Sequence, residues 1–248
     1  MNGKMKKLAG KIPVVILAGG QGTRVGSSEI IPKPMVKING SPLLFYIIDH
    51  YRKAGFRKFI ICAGSSSRMI QDAIPRSQRD IKVVDTGIEN MTGSRLVQVR
   101  KHVEEAPFFC CTYGDTVSGI DLQDLLSFHI GHQKTASLVA VHAPTRFRIL
   151  GLYGDDDLLR GFTEKPVLEK DFINGGFYVF NKTIFNLKTL KKNKDCVLET
   201  DVLENLIAKK DICAFRYTGF WQYVDTERDR KKLSAWVSGR GVSYATCC

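Results

Sequence analysis

Val14-Val15-Ile16-Leu17-Ala18-Gly19-Gly20-Gln21-Gly22-Thr23-Arg24, with Pro32-Lys33-Pro34-Met35 shortly after it, is the stretch around which the chain is organised. It opens as an apolar run rich in β-branched residues, the pattern of a strand buried on both faces. The run then breaks into three glycines within four positions, Gly19, Gly20 and Gly22. Glycine tolerates positive φ and lets another group approach the backbone, so such a loop can turn bare N–H groups toward an anion. The Thr23 hydroxyl, the Arg24 guanidinium and the Lys33 ammonium follow, all groups suited to phosphate oxygens. Prolines on either side of Lys33 fix the backbone there. The glycines alone serve a tight turn after a strand and a phosphate cradle equally well. Gly20-x-Gly22-x-x-x-Gly26 misses the dinucleotide spacing by one residue, and no G-x-x-x-x-G-K-[ST] occurs, which excludes a P-loop ATPase.

Working outward, apolar residues at helical spacing over 42–51 predict a helix ending near Gly55, and 58–64 reads as a second buried strand. Ser65 to Ser67 offer an N-cap to the helix that starts there. With a third strand over 81–85, the β-α-β-α-β order predicts a Rossmann-like, doubly wound, mixed but mostly parallel sheet with helices on both faces. Ligands in such sheets sit beyond the carboxyl ends of the strands, where the glycine loop lies. Thr86 to Leu96 combine turn residues, a hydroxyl and Arg95 at the start of a helix expected to reach about Val103, a setting that suits an anion or a nucleotide edge. Residues 107–115 read as a strand ending on Asp115, a carboxylate placed as a Mg²⁺ ligand would be. A helix over 122–131, a strand over 135–141 and strands on either side of Asp155-Asp156-Asp157 follow, the aspartates reading as a solvated hairpin turn. A helix over 201–207, a strand over 212–217, a helix over 227–237 and a disordered tail complete the expected pattern. No repeat or linker interrupts it, so residues 1–248 are expected to form one domain with its core at 14–236.

Composition sets outer limits. With 248 residues, 44% hydrophobic and 25% charged, the chain is long enough to bury a substantial core and is ordinary for a globular protein. No apolar run approaches the ~20 residues of a membrane span. The basic start, Lys4 to Lys7, is followed by only a short apolar stretch, so no signal peptide is read and a cytoplasmic location is expected. Seven cysteines include no C-x-x-C pair, which points to reduced thiols and away from disulfides or zinc. The formal charge of +12 comes from scattered runs at 4–7, 188–194 and 228–232 that carry no interleaved aromatics. They read as solvated helix faces, so neither nucleic acid nor membrane is expected as a partner.

The string L-A-G-G-Q-G-T-R followed by P-K-P-M resembles the signature of the sugar nucleotidyltransferases, also called sugar-1-phosphate pyrophosphorylases. V-D-T-G at 84–87 and M-T-G-x-R-L at 91–96 bring the resemblance nearest to the glucose-1-phosphate cytidylyltransferases. E-K-P at 164–166, I-N-G-G-F at 173–177 and G-F-W-x-x-x-D-T at 219–226 follow in the family's order, so the resemblance spans Val14 to Trp236. It implies transfer of CMP from CTP to a sugar 1-phosphate, with release of pyrophosphate and Mg²⁺ as cofactor, by an enzyme that forms a homo-oligomer. It implies further that Leu17, Ala18, Gly19, Gly20, Gly22, Thr23 and Arg24, with Thr92, Gly93, Arg95 and Gly114, hold the nucleotide. Arg24 would meet the β- and γ-phosphates, Lys33 would sit between the reacting groups, and Asp115 and Asp225 would hold the metal. Lys165 would meet the sugar's phosphate, Glu164 a sugar hydroxyl, and Asn174, Gly175 and Arg148 would line the acceptor side. No nucleophilic side chain is required, and no Ser–His or Cys–His constellation is evident.

Some positions depart from the resemblance. Arg148 stands where cytidylyltransferases tend to carry glycine, Ser94 replaces a glycine, Tyr223 a proline, and the segment between Arg24 and Pro32 is shorter and less acidic. These bear on the acceptor more than on the nucleotide. A cytidylyltransferase for a non-sugar phosphate or phosphonate, a sugar nucleotidyltransferase using GTP, dTTP or UTP, and a catalytically silent homologue remain alternatives. His129-Ile130-Gly131-His132 mimics a motif of an unrelated nucleotidyltransferase superfamily, where it opens a helix after the first strand. Here it falls at the end of a helix in mid-chain, and reads as helix surface with a glycine stop.

Overall fold

The structure, a computed structural model, describes residues 3–20, 31–144, 149–152, 159–163, 167–190 and 193–239, the side chains of 143–171 excepted. In chain order the elements are α1 (Gly3–Ala9), β1 (Val14–Ala18), β2 (Lys37–Ile38), β3 (Ser41–Pro42), α2 (Leu43–Lys53), β4 (Phe59–Ala63), α3 (Ser67–Ala73), β5 (Ile81–Asp85) and α4 (Thr92–Val99). They continue with β6 (Phe108–Tyr113), β7 (Thr116–Ser118), α5 (Leu122–His132), β8 (Ala136–Pro144), β9 (Ile149–Leu152), β10 (Leu159–Thr163) and β11 (Val167–Asn181). Then come α6 (Glu204–Ala208), β12 (Ile212–Tyr217), β13 (Trp221–Tyr223) and α7 (Glu227–Gly239). No helix among the described residues is long and apolar enough to cross a membrane.

Seven strands form one sheet in the order β12-β8-β11-β6-β1-β4-β5. β1 runs parallel to both β4 and β6, while β11 lies antiparallel between β6 and β8. The expected mixed, mostly parallel sheet is therefore the observed one. The chain moves outward from β1 to β4 and β5, then crosses back to lay β6 on the other side of β1. That reversal opens a crevice at the carboxyl ends of β1 and β6, where such sheets bind ligands.

Alternation along β1 shows why the run is apolar throughout. Val14, Ile16 and Ala18 enter one core with Leu44, Ile47 and Tyr51 of α2, Leu126 of α5 and Leu233 of α7. Val15 and Leu17 enter a second core on the opposite face, with Leu96 and Val99 of α4 and Leu206 of α6. Side chains of successive strand residues point to opposite faces, so a strand covered by helices on both sides has no polar position. Each fully buried Val or Leu contributes roughly 1.5–3 kcal/mol.

Four local expectations need correcting. Ser66 makes no capping bond to α3, and its hydroxyl is buried without a partner. α4 ends at Val99 and continues only as a 3₁₀ turn, Arg100–His102. Gly131 does not stop α5, which closes on Gln133 in the left-handed conformation at φ 58°. His129 is not on the helix surface: it is 1% exposed and bonded to Ser137 of β8.

The hydrogen bonds there fix the tautomer of His132. Lys134 N–H donates to His132 Nδ1 at 2.9 Å, so His132 carries its proton on Nε2 and donates to Ser137 Oγ at 2.6 Å. Ser137 Oγ also lies 2.9 Å from His129 Nδ1, and among the described residues His129 Nε2 is buried without a partner. This is a Ser–His cluster of the kind not expected from the sequence, but Ser137 is fully buried, so no substrate reaches its hydroxyl. Burial, and then the neighbouring His132, hold His129 down to a pKa of about 4. The cysteines described are free, and burial pushes the Cys62 thiol up to about 12.

Candidate active site

A cleft of about 580 Å³ opens where β1 and β6 end, lined by Leu17, Ala18, Gly19 and Gly20 on one side and Tyr113, Gly114 and Asp115 on another. Lys33, Pro34, Thr92, Arg95 and the turn Ile88 to Met91 complete it. Ile88 and Met91 are 55% and 45% exposed there, apolar groups presented to whatever enters.

The floor of the loop is built on Arg95. Its side chain rises from α4, is 4% exposed, and passes directly beneath Gly19. Nη2 donates to Gly19 O at 2.9 Å, and Nη1 donates to Thr86 Oγ1 at 2.6 Å and to Ala63 O at 3.2 Å. A Cβ on Gly19 would lie 2.0 Å from Nη1, so glycine is needed for close approach and not for an unusual φ. At Gly20 a Cβ would meet nothing within 4 Å. Burial pulls the Arg95 pKa below the usual arginine range, and Cys62 and Asp85 pull it back upward. The guanidinium nonetheless stays charged. It gives its bonds to neutral oxygens, and so sets a positive charge under the loop where a polyphosphate would lie.

Lys33 sits in a 3₁₀ turn, Lys33–Met35, with Pro32 before it and Pro34 in its first turn. Its Nζ reaches Asp225 Oδ1 at 2.9 Å and Asp115 Oδ2 at 3.4 Å. Burial lowers the Lys33 pKa, but the Asp225 hydrogen bond and the charges of Asp115 and Asp225 outweigh it, so the net shift is upward. Asp115 and Asp225 lie far apart in sequence and meet because β7 and β13 pair, Thr116 opposite Tyr223. The Val224 N–H donates to Asp115 O at 2.9 Å, closing the same junction.

Asp225 has a support that sequence reasoning missed. The Thr226 N–H donates to Asp229 Oδ2 at 3.0 Å, and the Asp229 N–H donates to Thr226 Oγ1 at 3.2 Å. This reciprocal pair is a capping box at the start of α7, with Asp where Glu or Gln is usual. Asp229 Oδ2 also accepts from the Asp225 N–H at 3.4 Å. The spacing T-x-x-D just before a helix was the available signal.

Two carboxylates converging on one point are the donor set Mg²⁺ takes from protein, the remaining positions going to substrate phosphates and water. Among the described residues no cluster of three or more His, Cys, Asp or Glu side chains suits a metal, so none competes with this pair.

Other expected site residues have more specific settings. Thr92 lines the cleft and its hydroxyl donates to Glu199 Oε2 at 3.0 Å. Gly93 packs against Cys196: its N–H donates to Cys196 O at 2.9 Å, and a Cβ would lie 2.7 Å from Cys196 Sγ. Gly114 lets Pro34 close over the strand end, where a Cβ would be 2.8 Å from Pro34 Cγ. Asn174 is exposed on β11, and Gly175 O accepts from Trp221 Nε1 at 2.8 Å. The positions of Gly22, Thr23, Arg24, Arg148, Glu164 and Lys165 fall outside the described residues.

The family model described as nucleotidyl transferase matches residues 13–228. Glucose-1-phosphate cytidylyltransferase of Salmonella typhi is 34% identical, over 91% of this chain and 96% of its own. Mannose-1-phosphate guanyltransferase 2 of Candida glabrata is 25% identical, over 87% of this chain and 62% of its own. Among solved structures, HddC from Yersinia pseudotuberculosis complexed with GMP-PN has a TM-score of 0.69 at 24% identity, covering 91% of this chain and 99% of that one.

Proposed function

The chain belongs to the nucleotidyl transferase family, and from that premise we propose that it transfers CMP from CTP to a sugar 1-phosphate, releasing pyrophosphate. The observation that carries the proposal is the meeting of Asp115, Asp225 and Lys33 at the mouth of the glycine-loop cleft. The cytidylyltransferase relative, matched along nearly its whole length, supports the choice of base and acceptor.

The chemistry needs no side-chain nucleophile. A phosphomonoester has a second pKa of about 6, so near neutral pH the attacking oxygen is already ionised and no general base is called for. What must be overcome is repulsion between two polyanions and the charge developing on the leaving pyrophosphate. The loop from Leu17 to Gly20, with the Arg95 guanidinium beneath it, accepts the triphosphate. Lys33 stands where the incoming phosphate and the α-phosphate would meet, and neutralises charge on both. Asp115 and Asp225 would hold Mg²⁺, whose charge stabilises the phosphoryl oxygens when it is bound. Arg24 is assigned to the β- and γ-phosphates, and Lys165, Glu164, Asn174, Gly175 and Arg148 to the acceptor, by the motifs that carry them. Positioning and charge neutralisation then supply the rate.

Pyrophosphate release measured with CTP, GTP, UTP and dTTP against a panel of sugar 1-phosphates and other phosphorylated acceptors tests the proposal. Turnover strongest with CTP and a hexose 1-phosphate is expected. Turnover confined to another nucleotide, or to a non-sugar acceptor, would overturn it.

A further inference from the structure

The π-helical turn Leu198–Leu203 places Glu199 behind the cleft, where the functional assignments above leave it without a role. Such turns are rare and often mark functional sites. Glu199 joins two groups that line the cleft. Oε2 accepts from the Thr92 hydroxyl at 3.0 Å, and Thr92 Oγ1 in turn accepts from the Leu198 N–H at 2.8 Å. Oε1 accepts from the Tyr113 hydroxyl, whose ring lines the cleft.

The hydrogen bonds continue past Tyr113 in one direction. Tyr178 donates its hydroxyl proton to Tyr113 Oη at 3.2 Å, and Asn174 Nδ2 donates to Tyr178 Oη at 2.6 Å. Asn174 Oδ1 accepts from the Gly176 N–H at 3.0 Å, closing the bulge where β11 loses register with β8. Gly176 holds φ at +75°, and a Cβ there would lie 2.7 Å from Tyr113 Cδ2, so ring and bulge are fitted to one another. Every donor along the chain from Asn174 to Glu199 therefore points the same way, and each hydroxyl both donates and accepts. A carboxylate is the one ending that can take Tyr113 and Thr92 together, because it accepts at both oxygens and donates at neither.

We infer that Glu199 is a positioning residue that ties the acceptor side of the site, through Asn174, to the nucleotide side, through Thr92 and Tyr113. The inference rests on the assignment of Asn174 to the acceptor and of the cleft to the nucleotide. Glu199→Gln keeps the shape but turns an N–H₂ toward one of two hydroxyls that must donate, so the directional chain breaks at its end. Tyr178→Phe breaks it in the middle and leaves the ring in place.

Steady-state kinetics of the full chain with CTP and glucose 1-phosphate test this, with circular dichroism and thermal melting to confirm folding. Either variant is expected to raise the KM for glucose 1-phosphate and the KM for CTP together, lowering each kcat/KM by about 10-fold or more, as when a buried donor loses its partner. The link also predicts that Tyr178→Phe adds little once Glu199→Gln is present. Folded variants in which both KM values stay at the wild-type level overturn the inference, as does a lowered melting temperature with both KM values unchanged. If Glu199→Gln does not fold, Tyr178→Phe alone decides on the same criteria. A wild-type chain inert with all four nucleotides removes the functional proposal, and this inference with it, whereas an active wild type with unaffected variants removes the inference alone.

Discussion

Gly19→Ala puts the site's construction to a sharp test. The new methyl would stand 2.0 Å from Arg95 Nη1 and 2.1 Å from Cζ, separations no pair of non-bonded heavy atoms can hold. The clash is with the far end of a side chain, so the guanidinium leaves, and the space open to it is the cleft. Leaving breaks its three shorter bonds, to Gly19 O, Thr86 Oγ1 and Ala63 O, and a longer one to Ile88 O at 3.4 Å. Ala63 O keeps the Thr86 hydroxyl at 2.6 Å, so Gly19 O and Ile88 O are the acceptors that lose the Arg95 donor. At a net ~1 kcal/mol for each bond exchanged for water, the loss comes to about 3 kcal/mol. Urea unfolding at 25 °C measures it, with Gly20→Ala as the control: a Cβ there meets nothing within 4 Å, so a change within ~0.5 kcal/mol is expected. The displaced guanidinium also occupies nucleotide space, so CTP affinity should fall at least ~10-fold. In an Arg95→Ala background, Gly19→Ala should cost almost nothing further. A Gly19→Ala protein as stable as the Gly20→Ala control would refute the account of Arg95 as the floor of the loop.

Three other expectations follow from the geometry. Asp115→Ala should lower turnover of CTP and a sugar 1-phosphate by at least ~10²-fold, measured as pyrophosphate release, as for loss of a positioned electrostatic group. Asp229→Ala removes the capping box and the carboxylate that holds the Asp225 N–H; it should cost roughly 1 kcal/mol in urea unfolding and lower kcat by about 10-fold. His129 titrates near 4 in the folded chain against an ordinary 6.5, so the unfolded chain takes up the proton first as the solution is acidified. Its contribution is thus complete above about pH 6.5 and is lost between there and about pH 4, by about 3 kcal/mol. His129→Gln should flatten that part of the stability–pH curve, and an unchanged slope would count against a neutral buried His129.

Much of the fold was legible because it is written in local pattern. Val14 to Ala18 had to be a two-faced buried strand, since no polar residue interrupts the run, and the sheet forms around it. Glycine and proline punctuation located the cleft, and Asp115 stood out as an acid at a strand end. What stayed hidden depends on contacts between distant segments. Nothing near Arg95 says that its guanidinium will lie under Gly19, because the approach is set by how α4 packs across β1 and β4. His129 read as surface for a similar reason: one hydroxyl on β8, Ser137, makes a buried imidazole acceptable there. Glu199 had no motif at all, and only the docking of the 198–203 turn against α4 brings it to Thr92 and Tyr113.

The pairing of β7 with β13 has a consequence for how the protein is made. The described lining of the nucleotide cleft ends at Asp115, although Glu199 holds its Thr92 and Tyr113 from later in the chain. The second carboxylate arrives only with Asp225, about 110 residues after the first. A nascent chain emerging from the ribosome thus carries most of the pocket's residues long before it can use them, and competence waits on the closure of a loop about half the chain in length. A chain truncated ahead of Trp221 would leave Asp115 and Lys33 without the partner that completes them.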